Sequence, residues 1–382
     1  MTGACIGRLG RAGELARVNG TLNSAGKQMP SLAGMPDLTT VARRINTSGI
    51  GAALAERPLQ PSLMASLGSL SLLSGLIRHI HSAFDIHLLS PGGARALTGK
   101  LGQLSMPRLG LPSLSGGPKT PPWQTALLRL SPSILSLRAA GIDPVGPEAA
   151  AKLRGWLDSL HGKGLTAGMG APQVRSIGLG HLTGVSTFAS AIGAIAHPNG
   201  LGVNLLGASG PKDLASKMSL FHSSPTQQLL SSAAAGKLTP ALQGAEGRLQ
   251  LYKAKMARIA MVRSATGIDM TAPGAEAKAA AFLKSMKASG LCRELRQAPA
   301  AGAGQAELAR VDSMCGALRS THSNLDVDCT HPDGARKLKN TLNAFMTHAE
   351  PTVSRVSVAP EALAGATKLA QLATVSSLLQ KG

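Results

Sequence analysis

Aromatic side chains are nearly missing from this chain, which has five Phe, two Trp and one Tyr in 382 residues. A sheet or channel that reads RNA or single strands needs aromatic platforms for base stacking, so that class is excluded. Acid is scarce as well: 19 Asp and Glu face 39 Lys and Arg, a formal net charge of +20. Charged residues reach only 15%, against a usual share of about 25%. Four cysteines are too few to frame a disulfide scaffold. No Asp or Glu occurs between Asp85 and Asp143, while Arg95, Lys100, Arg108, Lys119, Arg129 and Arg138 all fall there. Those six charges are spread singly, so the basic character is a diffuse surface property and not a dense arm.

The remainder is apolar, at 43% hydrophobic residues, which is too much for a disordered basic tail. Glycine (45) and proline (23) are abundant but lack the three-residue period of collagen. Leu and Ala supply most of the apolar content, and they favour helices, whereas a β-rich core would lean on Val, Ile and aromatics. The expected fold class is therefore all-α, with a core of small and aliphatic side chains.

Internal repetition is the strongest signal. Residues 76–104 align without a gap on residues 317–345, with ten identities that include Arg78/Arg319, His81/His322, Asp85/Asp326, Pro91/Pro332 and Arg95/Arg336. A second pair shares Gly-Ile-Asp: Gly141, Ile142 and Asp143 run on to Pro147, and Gly267, Ile268 and Asp269 run on to Pro273 at the same spacing. A weaker relative surrounds Gly202, Val203 and Asn204 with Pro211 after it, and Pro36 marks an eroded first copy. The prolines at 36, 91, 147, 211, 273 and 332 set a period of ~60 residues, enough for two helices and their loops.

Each copy reads as helix, bend, helix. Asp85, Gly141, Gly267 and Asp326 are residue types that end helices or tolerate turn geometry. The next residue, Ile86, Ile142, Ile268 or Val327, is expected to point inward and pin the loop. The proline is expected at the first helical position, where its missing N–H forfeits no helix bond. Acidic residues behind it (Asp37, Glu148, Asp333, Glu361) would complement the helix dipole. The expected architecture is an α-solenoid-like array of five to six helical hairpins over residues 31–350. Residues 1–30 are expected as a basic arm or an export or targeting segment, and residues 351–382 as a C-terminal capping helix. The Gly-, Pro- and Ser-rich stretches 105–122, 161–181 and 287–306 read as exposed connectors.

Two stretches, 58–77 and 176–211, carry no Asp, Glu, Lys or Arg. Helical spacing of Leu63, Leu67, Leu70 and Ile77 makes the first a buried or amphipathic helix, with membrane insertion as the alternative. The N-terminus lacks the apolar core of a secretory signal, which leaves a cytoplasmic chain or one exported on a non-cleaved bacterial signal.

Signatures of chemistry are weak. No glycine–lysine pair is followed by Ser or Thr in a phosphate-binding loop. His79 and His81 lie two apart and face different sides of a helix, so with His87 they do not form a metal site. Ser82, His81 and Asp85 lie within one helical turn and cannot converge as a hydrolase triad. No cysteines form a CxxC. Reduced thiols are expected, and Cys315 with Cys329 is the one pair placed across a single bend. No cofactor, metal or small-molecule substrate is implied. The expectation is a non-enzymatic interaction or scaffold protein whose basic surface docks an acidic partner, most readily a protein. Arg78, Arg95, Arg319 and Arg336 are the candidate contacts, with salt bridges to Asp85 and Asp326 as their structural alternative. Two other readings stand beside it. One is a secreted bacterial effector or particle component, a membrane-active one included; the other is a protein gripping nucleic-acid backbone. An anionic membrane is a further candidate surface.

Overall fold

The computed structural model describes residues 3–28, 38–103, 120–162, 164–223, 225–237, 246–297 and 304–381. Pro36, Asp37, Arg108, Lys119 and most of the 105–122 connector lie outside the described residues. All regular elements among those described are helices. In chain order, α1 is Gly3–Gln28, α2 Leu38–Thr47, α3 Ile50–Glu56, α4 Pro61–Phe84, α5 Gly93–Gln103 and α6 Pro122–Ala139. Next come α7 Ala149–Gly162, α8 Leu165–Met169, α9 Pro172–Arg175, α10 Leu179–Ala196, α11 Gly210–Ser223 and α12 Pro225–Ala234. The last seven are α13 Glu246–Thr266, α14 Ala275–Ala288, α15 Leu291–Gln297, α16 Gln305–Leu325, α17 Gly334–His348, α18 Glu350–Val353 and α19 Pro360–Lys381.

Five bends are built alike. Each begins with a residue in the left-handed conformation: Asp85 (φ 56°), Gly141 (φ 81°), Gly202 (φ 66°), Gly267 (φ 74°) and Asp326 (φ 54°). Gly or Asp stands there because positive φ strains most L side chains, and Asp is among the few that tolerate it. Two consecutive turns follow. Ser90 N–H donates to His87 O and Gly93 N–H to Ser90 O, and the same pair of bonds recurs at 143–149, 204–210, 269–275 and 328–334. The residue after the left-handed position is buried in four bends, as Ile142, Val203, Ile268 and Val327, and half-buried as Ile86. In two bends an Asp holds the first turn shut. Asp269 Oδ1 accepts from Thr271 N–H and Oγ1 at 2.9 and 2.6 Å, and Asp328 Oδ1 does the same with Thr330 at 2.8 and 2.7 Å.

Pro360 starts α19 with Glu361 in its first turn, as expected, but the prolines of the bends sit elsewhere. Pro91, Pro147, Pro273 and Pro332 occupy the second position of the second turn, two residues before the helix starts. The first helical acceptors are the residues that follow them: Gly92, Glu148, Gly274 and Asp333. A fixed φ suits the second position of a β-turn as well as a helix start, and here the turn takes it. In the third bend Ala208 holds that place, and Pro211 lies inside α11.

The seven helices of 18 to 26 residues pack in a closed order. α1 lies on α6, α6 on α13, α13 on α19, α19 on α4, α4 on α10, α10 on α16, and α16 again on α1. Ring neighbours are thus two long helices apart along the chain. Polar contacts carry the same spacing. Ser74 Oγ donates to Ala194 O 120 residues on, Arg138 Nη1 to Ala265 O 127 residues on, and the Ser190 and Ser320 hydroxyls meet 130 residues apart. Where the ring closes, the separation jumps to 295, at Arg17–Asp312 and at His79–Thr374. Short helices follow a matching rule. α3 covers α10, α8 covers α16, α12 covers α19, α15 covers α1 and α18 covers α4. Each covers the long helix three further along, with the count returning to α1 after α19.

An open solenoid stacks each unit on its chain neighbours; the packing order here is different. Residues 3–28 form no arm, because α1 inserts between α6 and α16 with Leu9, Val18, Leu22 and Ala25 buried. α19 caps no end, since it lies between α13 and α4 with Ala362, Ala366, Leu369 and Ala373 fully buried. Close approach relies on small residues: a Cβ on Gly365 would collide with the Leu230 carbonyl of α12. One large core runs through both ends of the chain, and two smaller clusters flank it at α6, α13, α14 and α15. α4 and α10 are long and apolar enough to cross a membrane, and both bury an apolar stripe against their ring neighbours.

Candidate docking site

The four arginines singled out in the sequence fall at matching places on two copies but do not converge. Arg78 is exposed on α4, and Arg319 is half-buried on α16, its Nε shielded from water without a hydrogen-bond partner among the described residues. α10 stands between those two ring helices. None of the four arginines forms an ion pair with Asp85 or Asp326. Asp326 reaches Lys337 instead, at 4.0 Å. Arg336, on α17, pairs with Asp333 at 3.4 Å. Arg95, its counterpart on α5, makes no ion pair among the described residues.

Arg95 opens onto a cleft of about 730 Å³ between α5 with its bend and the α11–α12 corner. Leu89, Pro91 and Ala94 form one wall, and Leu220 and Leu229 the other. Leu220 is 48% exposed, one of three large apolar residues so placed among the described residues. Thr226, buried at the foot, donates from Oγ1 to Leu88 O at 3.0 Å and ties α12 to the bend. No carboxylate lines the cleft among the described residues. A single guanidinium beside apolar walls is suited to a ligand with a carboxylate next to an apolar body.

Elsewhere, several polar side chains pair within the fold. Arg154 grips Glu294 with Nε and Nη2 at 2.8 and 2.6 Å. Among the described residues no group of three His, Cys, Asp or Glu could hold a metal. His81 and His87 stack at 4.1 Å, while His79 Nε2 meets Thr374 Oγ1 at 2.7 Å. Burial, followed by the charges of Lys253 and Arg78, lowers the pKa of His79. The Thr271 hydroxyl and N–H lower that of Asp269. Cys315 and Cys329 are buried thiols whose pKa burial pushes up to about 12.

The other two cysteines correct the expectation of reduced thiols: Cys5 and Cys292 form a disulfide that joins α1 to α15. Their partnership depends on α15 covering α1, a contact between residues 287 apart that no local spacing announces. The α11–α12 wall of the cleft was equally invisible, since Leu220 and Leu229 read as ordinary helix positions. Comparison with protein-family models, curated proteins and solved structures gave no match. The residues alone carry the functional reading.

Proposed function

We propose that this chain is a non-catalytic interaction protein, a closed array of helical-hairpin repeats that docks an acidic macromolecular partner, in the first instance a protein. Uncompensated positive charge on neighbouring ring helices carries this reading. Arg8 and Arg11 on α1, Arg129 on α6, and Lys253 and Arg258 on α13 are exposed and make no ion pair among the described residues. α6 itself has no acidic residue. Such a surface attracts and orients acidic partners, and the closed order of long helices supplies a rigid frame for it. The test is binding of the full chain to polyglutamate, duplex DNA and phosphatidylserine vesicles at several salt concentrations. Preference for the acidic polypeptide supports the reading. Tighter binding to DNA with a steep salt slope would replace it with backbone-level nucleic-acid binding, and binding to none would reject it.

The disulfide favours one second reading, an exported effector or particle component, because such bonds persist mainly in oxidising compartments. Thiol trapping in the native host tests it. Free Cys5 and Cys292 thiols in every compartment would discard it.

A further inference from the structure

The two aligned copies differ at one position that bears directly on the cleft. In the copy on α17, Asp333 occupies the N-cap and accepts from Arg336 Nε at 3.4 Å, so that guanidinium is satisfied internally. In the copy on α5 the arginine is retained as Arg95, but the place of Asp333 is taken by Gly92. Gly92 lines the same cleft, and a Cβ built on it meets nothing within 4 Å. The same bend that is closed by its own carboxylate in one copy is open in the other, with apolar walls beside the unpaired arginine.

We propose that this cleft binds a short acidic–apolar peptide segment of the partner. Its Asp or Glu carboxylate pairs with Arg95 as Asp333 pairs with Arg336, and its neighbouring apolar side chain packs on Leu220 and Leu229. Charge complementarity sets the occupant: among the described residues the cleft offers one cation and no carboxylate, so a basic or neutral segment gains only the apolar contact. The assignment rests on the acidic-protein reading above and names where that partner is gripped.

Gly92→Asp supplies the carboxylate from within. Gly92 O already accepts the first helical bond from Ala96 N–H at 2.9 Å, so the substitution falls at an N-cap, where Asp is favoured. The helix is expected to hold. The probes are a fluorescein-labelled Leu-Glu-Leu-Leu amide and its Leu-Gln-Leu-Leu counterpart, read by anisotropy against the full chain. The Glu peptide is expected to bind the wild type at least about tenfold more tightly than the Gln peptide. Gly92→Asp and Arg95→Gln should each abolish that preference, while Asp333→Ala leaves it intact. Equal binding of the two peptides, or an undiminished preference in Gly92→Asp with an unchanged melting curve, overturns the proposal. Polyglutamate binding, measured on the same variants, separates the two levels. Retention in Gly92→Asp without any peptide preference in the wild type rejects only the cleft, whereas its absence from the wild type rejects the acidic-partner reading itself.

Discussion

Reduction of Cys5–Cys292 probes how the N-terminal helix is held in the ring. The bond links residues 287 apart. Loop-closure entropy for a crosslink of that span is about 5–6 kcal/mol at 25 °C, an upper figure because measured disulfides more often contribute about 2–4 kcal/mol. A loss of about 2–5 kcal/mol is therefore expected on reduction. For a chain of 382 residues, an unfolding entropy of about 2.1 cal/mol/K per residue amounts to roughly 0.8 kcal/mol/K, so Tm should fall by about 3–6 °C. The assay is calorimetry with and without a phosphine reductant, repeated on the Cys5→Ser, Cys292→Ser double variant. That variant should melt with the reduced wild type and ignore the reductant. Identical melting of oxidised and reduced wild type, with both thiols then open to alkylation, would refute the claim that α15 and α1 are stapled.

Three further outcomes follow from particular contacts. Gly365→Ala should lower stability by about 1–3 kcal/mol in urea unfolding, because the added methyl meets backbone of α12 that cannot move aside, although Ala is the better helix former by up to about 1 kcal/mol. His79 stays neutral in the folded chain to lower pH than in the unfolded one, so the unfolded state binds more protons as pH falls below about 6.5. Stability should therefore decline as pH is lowered from about 7.5 toward the depressed folded value, and His79→Gln should flatten part of that decline in melting curves taken at successive pH. Cys315 and Cys329, with pKa pushed up to about 12, hold only about 10⁻⁴ thiolate at pH 8. Maleimide should spare them in the native protein and label them once it is unfolded, as read by mass spectrometry.

What the sequence made legible was local. The match between residues 76–104 and 317–345 identified two bends whose opening residues, Asp85 and Asp326, share a left-handed φ of 56° and 54°. Gly-Ile-Asp at 141 and 267 marked two more, since turn chemistry is written within a few neighbouring residues. At Pro91, Pro147, Pro273 and Pro332 the helix starts expected at the prolines fall two residues later, because β-turns and helix starts select the same ring-fixed φ. Ring order was not legible at all. Ser190 meets Ser320, and Ser74 meets Ala194, through helices two units apart, while a chain of similar amphipathic hairpins is equally consistent with stacking on its nearest neighbours. For the candidate site, Arg95 and its repeat partner Arg336 were visible. The Gly92/Asp333 difference acquires meaning only with the cleft that α11 and α12 close.

The closed order of long helices is tested most directly at α10 and α16. The Ser190 and Ser320 hydroxyls lie 2.6 Å apart, so Ser190→Cys with Ser320→Cys places two thiols at bonding distance with little change of shape. Mild oxidation should crosslink them nearly completely, giving an internally looped chain. Mass spectrometry of a digest should then recover the peptides that carry positions 190 and 320 as one disulfide-linked pair. Stacking of each hairpin on its chain neighbours would put the α13 hairpin between those helices, and no crosslink between positions 190 and 320 would form.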